Sequence, residues 1–169
     1  RKNLVKQGAT LTLNELGRAV LAMRLHERAQ LGLGYVIGHG KSADVTRALE
    51  TIVAKNGGKK LDLTTKEMSE APAEIAKLAH VEEVILSRNH FTKFPDVVLG
   101  LKSLKRLDIS NNRIGKIPDE ITKLKLVHLE IGGNRMRRFP MAVLGIPTLE
   151  ELDLYNSQEY VENEARITG

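Results

Sequence analysis

The sequence predicts an α/β repeat solenoid: a right-handed coil of short parallel strands, closed at its N-terminal end by a helical cap. Three observations carry this reading. The pattern L-x-x-L-x-L-x-x-N-x-L recurs as "GKKLDLTTKEM" (58–68), "VEEVILSRNHF" (81–91), "LKRLDISNNRI" (104–114), "LVHLEIGGNRM" (126–136) and "LEELDLYNSQE" (149–159), with starts 23, 23, 22 and 23 residues apart. Pro72, Pro95, Pro118 and Pro140 step by 23, 23 and 22 residues, so a second marker shares both the period and its irregularity. Before the first unit, two stretches carry helix-type apolar periodicity and supply the cap.

In chain order, residues 1–11 form a basic N-terminal arm carrying Arg1, Lys2 and Lys6 and no acidic residue. Ordering a polar strip costs about 1–2 kcal/mol per residue, so the arm is expected to dock on a partner and not to support the fold. Arg1 is not an initiator methionine, and both a cleaved targeting peptide and a trimmed start fit it. Residues 12–57 form the helical cap. Thr12 and Glu15 make a T-x-x-E capping box, with Leu13, Leu16, Val20 and Met23 on one stripe and Arg18, Arg24 and Arg28 mostly away from it. Gly32 and Gly34 end this segment. A second helix is expected from Ser42 as N-cap to about Lys55, with Val45, Ala48, Leu49, Ile52 and Val53 inward and "NGG" (56–58) as its stop. It is expected to cover the apolar end of the first coil.

Between the two helices, "GYVIGHGKS" (34–42) is close to a phosphate-binding loop, which needs Gly, four spacers, then Gly-Lys-Ser/Thr. Position 35 is Tyr35, so Gly34 misses by one residue. The stretch also follows a helix-like segment and not a buried strand, and no apolar run ending in a magnesium-binding Asp follows. Gly38 and Gly40 read as loop residues, leaving passive anion contact at Lys41 and Ser42 as the residual possibility.

Residues 58–158 hold five repeats, the first and last degenerate. In "LDI" (107–109), apolar residues at i and i+2 share the inner face of a short strand and the residue between them faces out. Strands stacked about 4.8 Å apart bury a continuous core that no single coil could bury alone. Asn89, Asn112 and Asn134 stand just after the strands, where the chain turns inward and leaves backbone groups unmet. A carboxamide carries donors and an acceptor, so it can satisfy them from inside. Lys66 replaces the first asparagine, and Ser157 and Glu159 break the last unit. The acidic tail 159–169 is either a solvent-facing terminus or the mark of a covering partner.

At these residues the chain resembles the leucine-rich-repeat family, in particular its 23-residue class with an apolar-Pro signature. "KFPDVVLGLKSLKRLDISNNRIGKIPDEI" (93–121) looks like the Ras-suppressor-like members, and the resemblance covers residues 58–158. It implies a parallel-stranded solenoid used for interaction.

Composition narrows the function. Hydrophobic residues make up 41% and charged residues 28%, with no cysteine, so disulfides, thiolate nucleophiles and the usual zinc sites are excluded. The absence of cysteine fits a reducing intracellular compartment, cytoplasm or mitochondrion. No stretch approaches the roughly 20 apolar residues of a membrane span. The five histidines lack metal-type spacing, no Gly-x-Ser-x-Gly elbow occurs, and three Phe, three Tyr and no Trp leave little for base stacking. No cofactor, metal or small-molecule substrate is expected, and no enzyme. The net charge of +5 lies wholly in residues 1–57, with nine Lys/Arg against four Asp/Glu. Such asymmetry points to an acidic partner or to solubility.

Two surface columns remain. Asp62, Ile85, Asp108, Glu130 and Asp153 are the outward residues of the five strands, flanked by Lys60, Arg106 and His128 and by Tyr155 after the last; together they form a candidate concave binding face. His90, Lys93, Arg113, Lys116, Arg135, Arg137 and Arg138 form a candidate basic rim. The reading is a non-enzymatic protein-interaction scaffold, a structural subunit of a larger assembly. The alternative is an RNA-contacting subunit of a ribonucleoprotein such as an organellar ribosome, using the basic arm and rim.

Overall fold

A computed structural model describes Ile37 and residues 40–155. The arm residues Arg1, Lys2 and Lys6, the first cap helix with Arg18, Arg24 and Arg28, and the tail lie outside the described residues. Helix α1 (Ser42–Lys55) leads into strands β1 (Lys60–Asp62), β2 (Glu83–Ile85), β3 (Arg106–Asp108), β4 (His128–Glu130) and β5 (Glu151–Asp153). Successive strands are joined through 3-10 helices η1 (Ala73–Lys77), η2 (Asp96–Gly100), η3 (Asp119–Lys123) and η4 (Met141–Gly145). The strands pair in parallel and in chain order, β1-β2-β3-β4-β5, forming an open sheet.

The register follows the sequence period. Leu61, Val84, Leu107, Leu129 and Leu152 are successive Cα partners across the sheet, including the 22-residue step. The first four of these are fully buried, as are Leu63, Leu86, Ile109 and Ile131 two positions on. Burial of each such side chain contributes about 1.5–3 kcal/mol, and the stack shares it across neighbouring coils. Phe91 and Phe94 join this core, and Phe139 is half-buried against it.

Each of the four periodic prolines has a structural duty that explains its period. Pro72, Pro95, Pro118 and Pro140 precede the four 3-10 helices with φ between −59 and −77°. The pyrrolidine ring presets that angle, and each proline carbonyl accepts the first bond of its helix, from the N–H of Ile75, Val98, Ile121 and Val143. That third helical residue is the one each short helix buries inward.

The asparagines turn the chain as expected. Asn89 Nδ2 donates to the carbonyls of Leu63, Leu86 and Ser87, while its Oδ1 accepts from the N–H groups of Lys66 and Met68. Asn112 Oδ1 accepts from Phe91 N–H and Asn134 Oδ1 from Ile114 N–H. Each amide therefore serves the coil before its own, and the turn at Lys66 is held by Asn89. The preceding residues Thr65, Arg88, Asn111 and Gly133 have φ of 56, 56, 52 and 66°. That left-handed backbone costs a non-glycine residue about 1–2 kcal/mol, which the hydrogen bonds offset.

Helix α1 buries Val45, Ala48, Leu49 and Val53 and leaves Ile52 half-buried, covering the N-terminal end of the stack through β1 and η1. Gly57 and Gly58 both have φ of 81°, and Gly58 N–H bonds back to Val53 carbonyl at 2.9 Å, a glycine-dependent helix stop. One detail differs from expectation. Lys41, not Ser42, is the N-cap, and it makes no side-chain capping bond. The Ser42 hydroxyl is turned outward to η1, where it accepts from Lys77 Nζ at 3.3 Å and bonds the Glu74 carboxylate. The contact to η1 outcompetes the local cap.

Candidate functional site

The strand register sets the predicted concave residues in two columns. Asp62, Ile85, Asp108, Glu130 and Asp153 are Cα partners in one, and Lys60, Glu83, Arg106, His128 and Glu151 in the other. Glu83 and Glu151 were missed in the sequence reading, although the repeat step alone aligns them with the predicted cations. They change the chemistry of the face. Lys60 and Arg106 both reach the Glu83 carboxylate, at 3.3 and 3.5 Å. Arg106 also pairs with Glu130, and His128 lies between Glu130 and Glu151. Lys60, Arg106 and His128 are thus each held by a carboxylate of this face, and with six carboxylates against Lys60 and Arg106 the two columns together remain acidic.

The outward aspartates are also engaged. Asp62 Oδ1 accepts from Thr64 N–H at 3.0 Å, Asp108 Oδ1 from Ser110 N–H at 2.9 Å and Asp153 Oδ1 from Tyr155 N–H at 2.7 Å. Each side chain satisfies the backbone donor two residues on, where the strand ends, which is the turn chemistry aspartate favours. Glu130 and Ile85 occupy the same column without that bond. One position before the strands, Glu82 accepts from Lys59 and Lys105 and is held down to about pKa 2 by those hydrogen bonds, Lys105 first.

The rim differs. His90, Lys93, Arg113, Lys116, Arg135, Arg137 and Arg138 are all exposed. Lys116, Arg135, Arg137 and Arg138 come together along an open groove of about 540 Å³ lined also by Ile117, Met136, Phe139, Pro140, Met141, Ala142 and Asp119. Lys116, Arg135 and Arg138 form no ion pair among the described residues. Lys93 lines an adjoining groove of about 500 Å³ with Asp96, Asp119 and Glu120, where carboxylates outnumber cations. His90 and Arg113 line neither groove. The apolar floor was not anticipated; its signal was the run "MRRFPMA" (136–142), in which apolar residues flank the arginines.

At the C-terminal end, Leu149, Leu152 and Leu154 are only half-buried, unlike their equivalents in the inner coils. Met141, Leu144 and Tyr155 expose 68, 64 and 76% of their surface. At the other end, the anion position at Lys41 and Ser42 is approached by the protein's own Glu74, whose pKa is lowered chiefly by the Ser42 hydrogen bond. Among the described residues no group of three His, Asp or Glu is arranged to hold a metal ion, and no helix is long and apolar enough to cross a membrane.

The family model for the leucine rich repeat matches residues 79–136, and it describes a repeat and not a catalytic family. No curated protein matches the chain. Among solved structures, a leucine-rich-repeat protein of Leptospira interrogans is similar at 26% identity and a TM-score of 0.56, over 68% of this chain and 28% of that one. Internalin C2 from Listeria monocytogenes is similar at 24% identity and a TM-score of 0.52, over 64% of this chain and 48% of that one. The plant peptide hormone receptor RGFR1, in complex with RGF2, is similar at 21% identity and a TM-score of 0.51, over 66% of this chain and 18% of that one. The chain thus spans less than half the length of each of these structures. Its five-stranded open parallel sheet, its repeat match and these likenesses make it a leucine-rich-repeat solenoid in fold.

Proposed function

We propose that the chain is a non-enzymatic scaffold of the Ras-suppressor-like repeat class, a structural subunit that docks through its repeat rim and its basic N-terminal arm. A leucine-rich-repeat fold suggests protein interaction, but fold by itself does not assign a partner. The observation that carries the reading is the contrast between the two surfaces. The cations of the concave face are paired with its carboxylates and the face stays acidic, whereas Lys116, Arg135 and Arg138 remain exposed and without ion pairs among the described residues. Cations held on an apolar floor suit a partner that brings both acid and apolar groups.

The reading as an RNA-contacting subunit draws support from the same rim and from the basic excess of residues 1–57. Affinity purification of the intact chain, with identification of bound protein and RNA, separates the two. For the purified pair, phosphate contacts lower log K linearly with log salt, by about 0.7–0.9 per neutralised phosphate. Removing residues 1–11 is expected to leave the melting temperature unchanged and to weaken association at low salt. If the truncated chain co-purifies with its partners as well as the intact one, the docking role of the arm fails.

A further inference from the structure

We infer that the groove beside Arg135 and Arg138 binds an acidic peptide segment bearing an apolar anchor side chain. The inference rests on the scaffold reading and gives its docking site a chemistry. Of the two neighbouring grooves, only this one combines a cationic excess with an apolar floor: Lys116, Arg135 and Arg138, which form no ion pair among the described residues, stand against Asp119 as the one carboxylate among its described lining residues. The adjoining groove offers Lys93 and Lys116 against three carboxylates and would repel an acidic segment. The floor decides between partners of negative charge. Ile117 and Met136 are almost wholly buried, while Met141 projects with 68% of its surface in solvent beside half-buried Phe139, Pro140 and Ala142. Phosphate and sugar offer no apolar group to cover them, and exposed Met141 gives a nucleobase no aromatic face to stack on, whereas a peptide places one apolar side chain between flanking carboxylates. Methionine adapts to anchors of varied shape. The cations then steer the encounter and the floor supplies the affinity that survives salt.

The test uses the full chain and fluorescence anisotropy with a labelled peptide of glutamates flanking one phenylalanine. Comparison probes are the same peptide with alanine for phenylalanine, and a labelled oligouridine. We expect the phenylalanine peptide to bind best, with the alanine version and the oligouridine several-fold weaker. The double variant Arg135→Glu/Arg138→Glu should lose about tenfold or more in affinity, since two attractions become repulsions. Met141→Asp should weaken the phenylalanine peptide more than the alanine one, and Lys102→Glu, at an exposed lysine that lines neither groove, should stay within about twofold. All four residues are exposed, so circular dichroism melts should match the parent chain. The assignment is overturned if the peptide does not bind, if charge reversal leaves its affinity unchanged, or if the oligouridine binds more tightly. If the peptide fails while the intact chain still captures a protein partner, the groove is wrong and the scaffold reading survives. If RNA alone is captured, both fall.

Discussion

The Glu82 carboxylate lies 2.8 Å from Lys105 Nζ, one repeat further along the solenoid, and accepts from Lys59 of the preceding repeat as well. One carboxylate thus ties three consecutive coils at the edge of the sheet. Its pKa falls from an ordinary 4.5 to about 2 because both ammonium groups favour its charged form. A carboxylate depressed in the folded state stabilises that state fully above the unfolded value, and the benefit is lost as pH falls. Glu82→Gln should therefore flatten the acid limb of the stability curve between pH 4.5 and about 2, with little effect on its slope near neutrality. Denaturant midpoints measured across that range check this. An unchanged acid limb in the variant would show that the triple-coil tie has no thermodynamic role.

The asparagine ladder gives a graded expectation. Asn112→Leu removes the acceptor of Phe91 N–H and the donor to the Leu86, Ile109 and Ser110 carbonyls, all inside the stack. Unmet buried groups cost about 1–3 kcal/mol. Lys66→Leu changes an exposed side chain whose own turn is served by Asn89, so it should stay within about 0.5 kcal/mol. Urea melts of the two variants should separate clearly. Equal losses would mean the amides are not the groups that close the turns.

Gly132 tests the docking of the last coil. A Cβ at this position would come within 2.1 Å of the Tyr155 backbone oxygen, so Gly132→Ala must push β5 away from β4. A loss of about 1–3 kcal/mol is expected, as for other overpacked sites. Gly100→Ala, with open space around its Cβ position, is the matched control. Hydrogen exchange should show the Gly132→Ala loss concentrated at the Ile131 N–H, which donates to Asp153 carbonyl. Faster exchange throughout the stack, with no such focus, would argue against a local clash.

Lys41→Ala should leave stability, binding and the absence of ATP or GTP turnover unchanged. Lys41 caps α1 through its carbonyl, which accepts from the N–H groups of Asp44 and Val45, and its side chain is not needed for that. Hydrolysis present in the purified chain and abolished by this substitution would restore the phosphate-loop reading.

What the sequence determined by itself was everything that depends on neighbouring coils alone. The step of 23, 23, 22 and 23 residues set the strand register to the residue, and with it the buried leucines and the asparagine ladder, while the local run "NGG" set the helical stop at Gly57 and Gly58. A solenoid repeats one local solution, so its period carries its geometry. Whether a charge on that frame is free or spent was decided by the tertiary structure. The step aligns Glu83 with Lys60 and Arg106, but that both side chains reach its carboxylate is a matter of their conformations, and Ser42 looks like a cap until Lys77 and Glu74 reach it from η1. Lys116 and the arginines of the rim share one groove with Met141 only because successive coils bring their side chains together. Ion pairs and grooves depend on side-chain reach between segments about one repeat apart, and the periodic pattern of apolar residues encodes the frame but not those reaches.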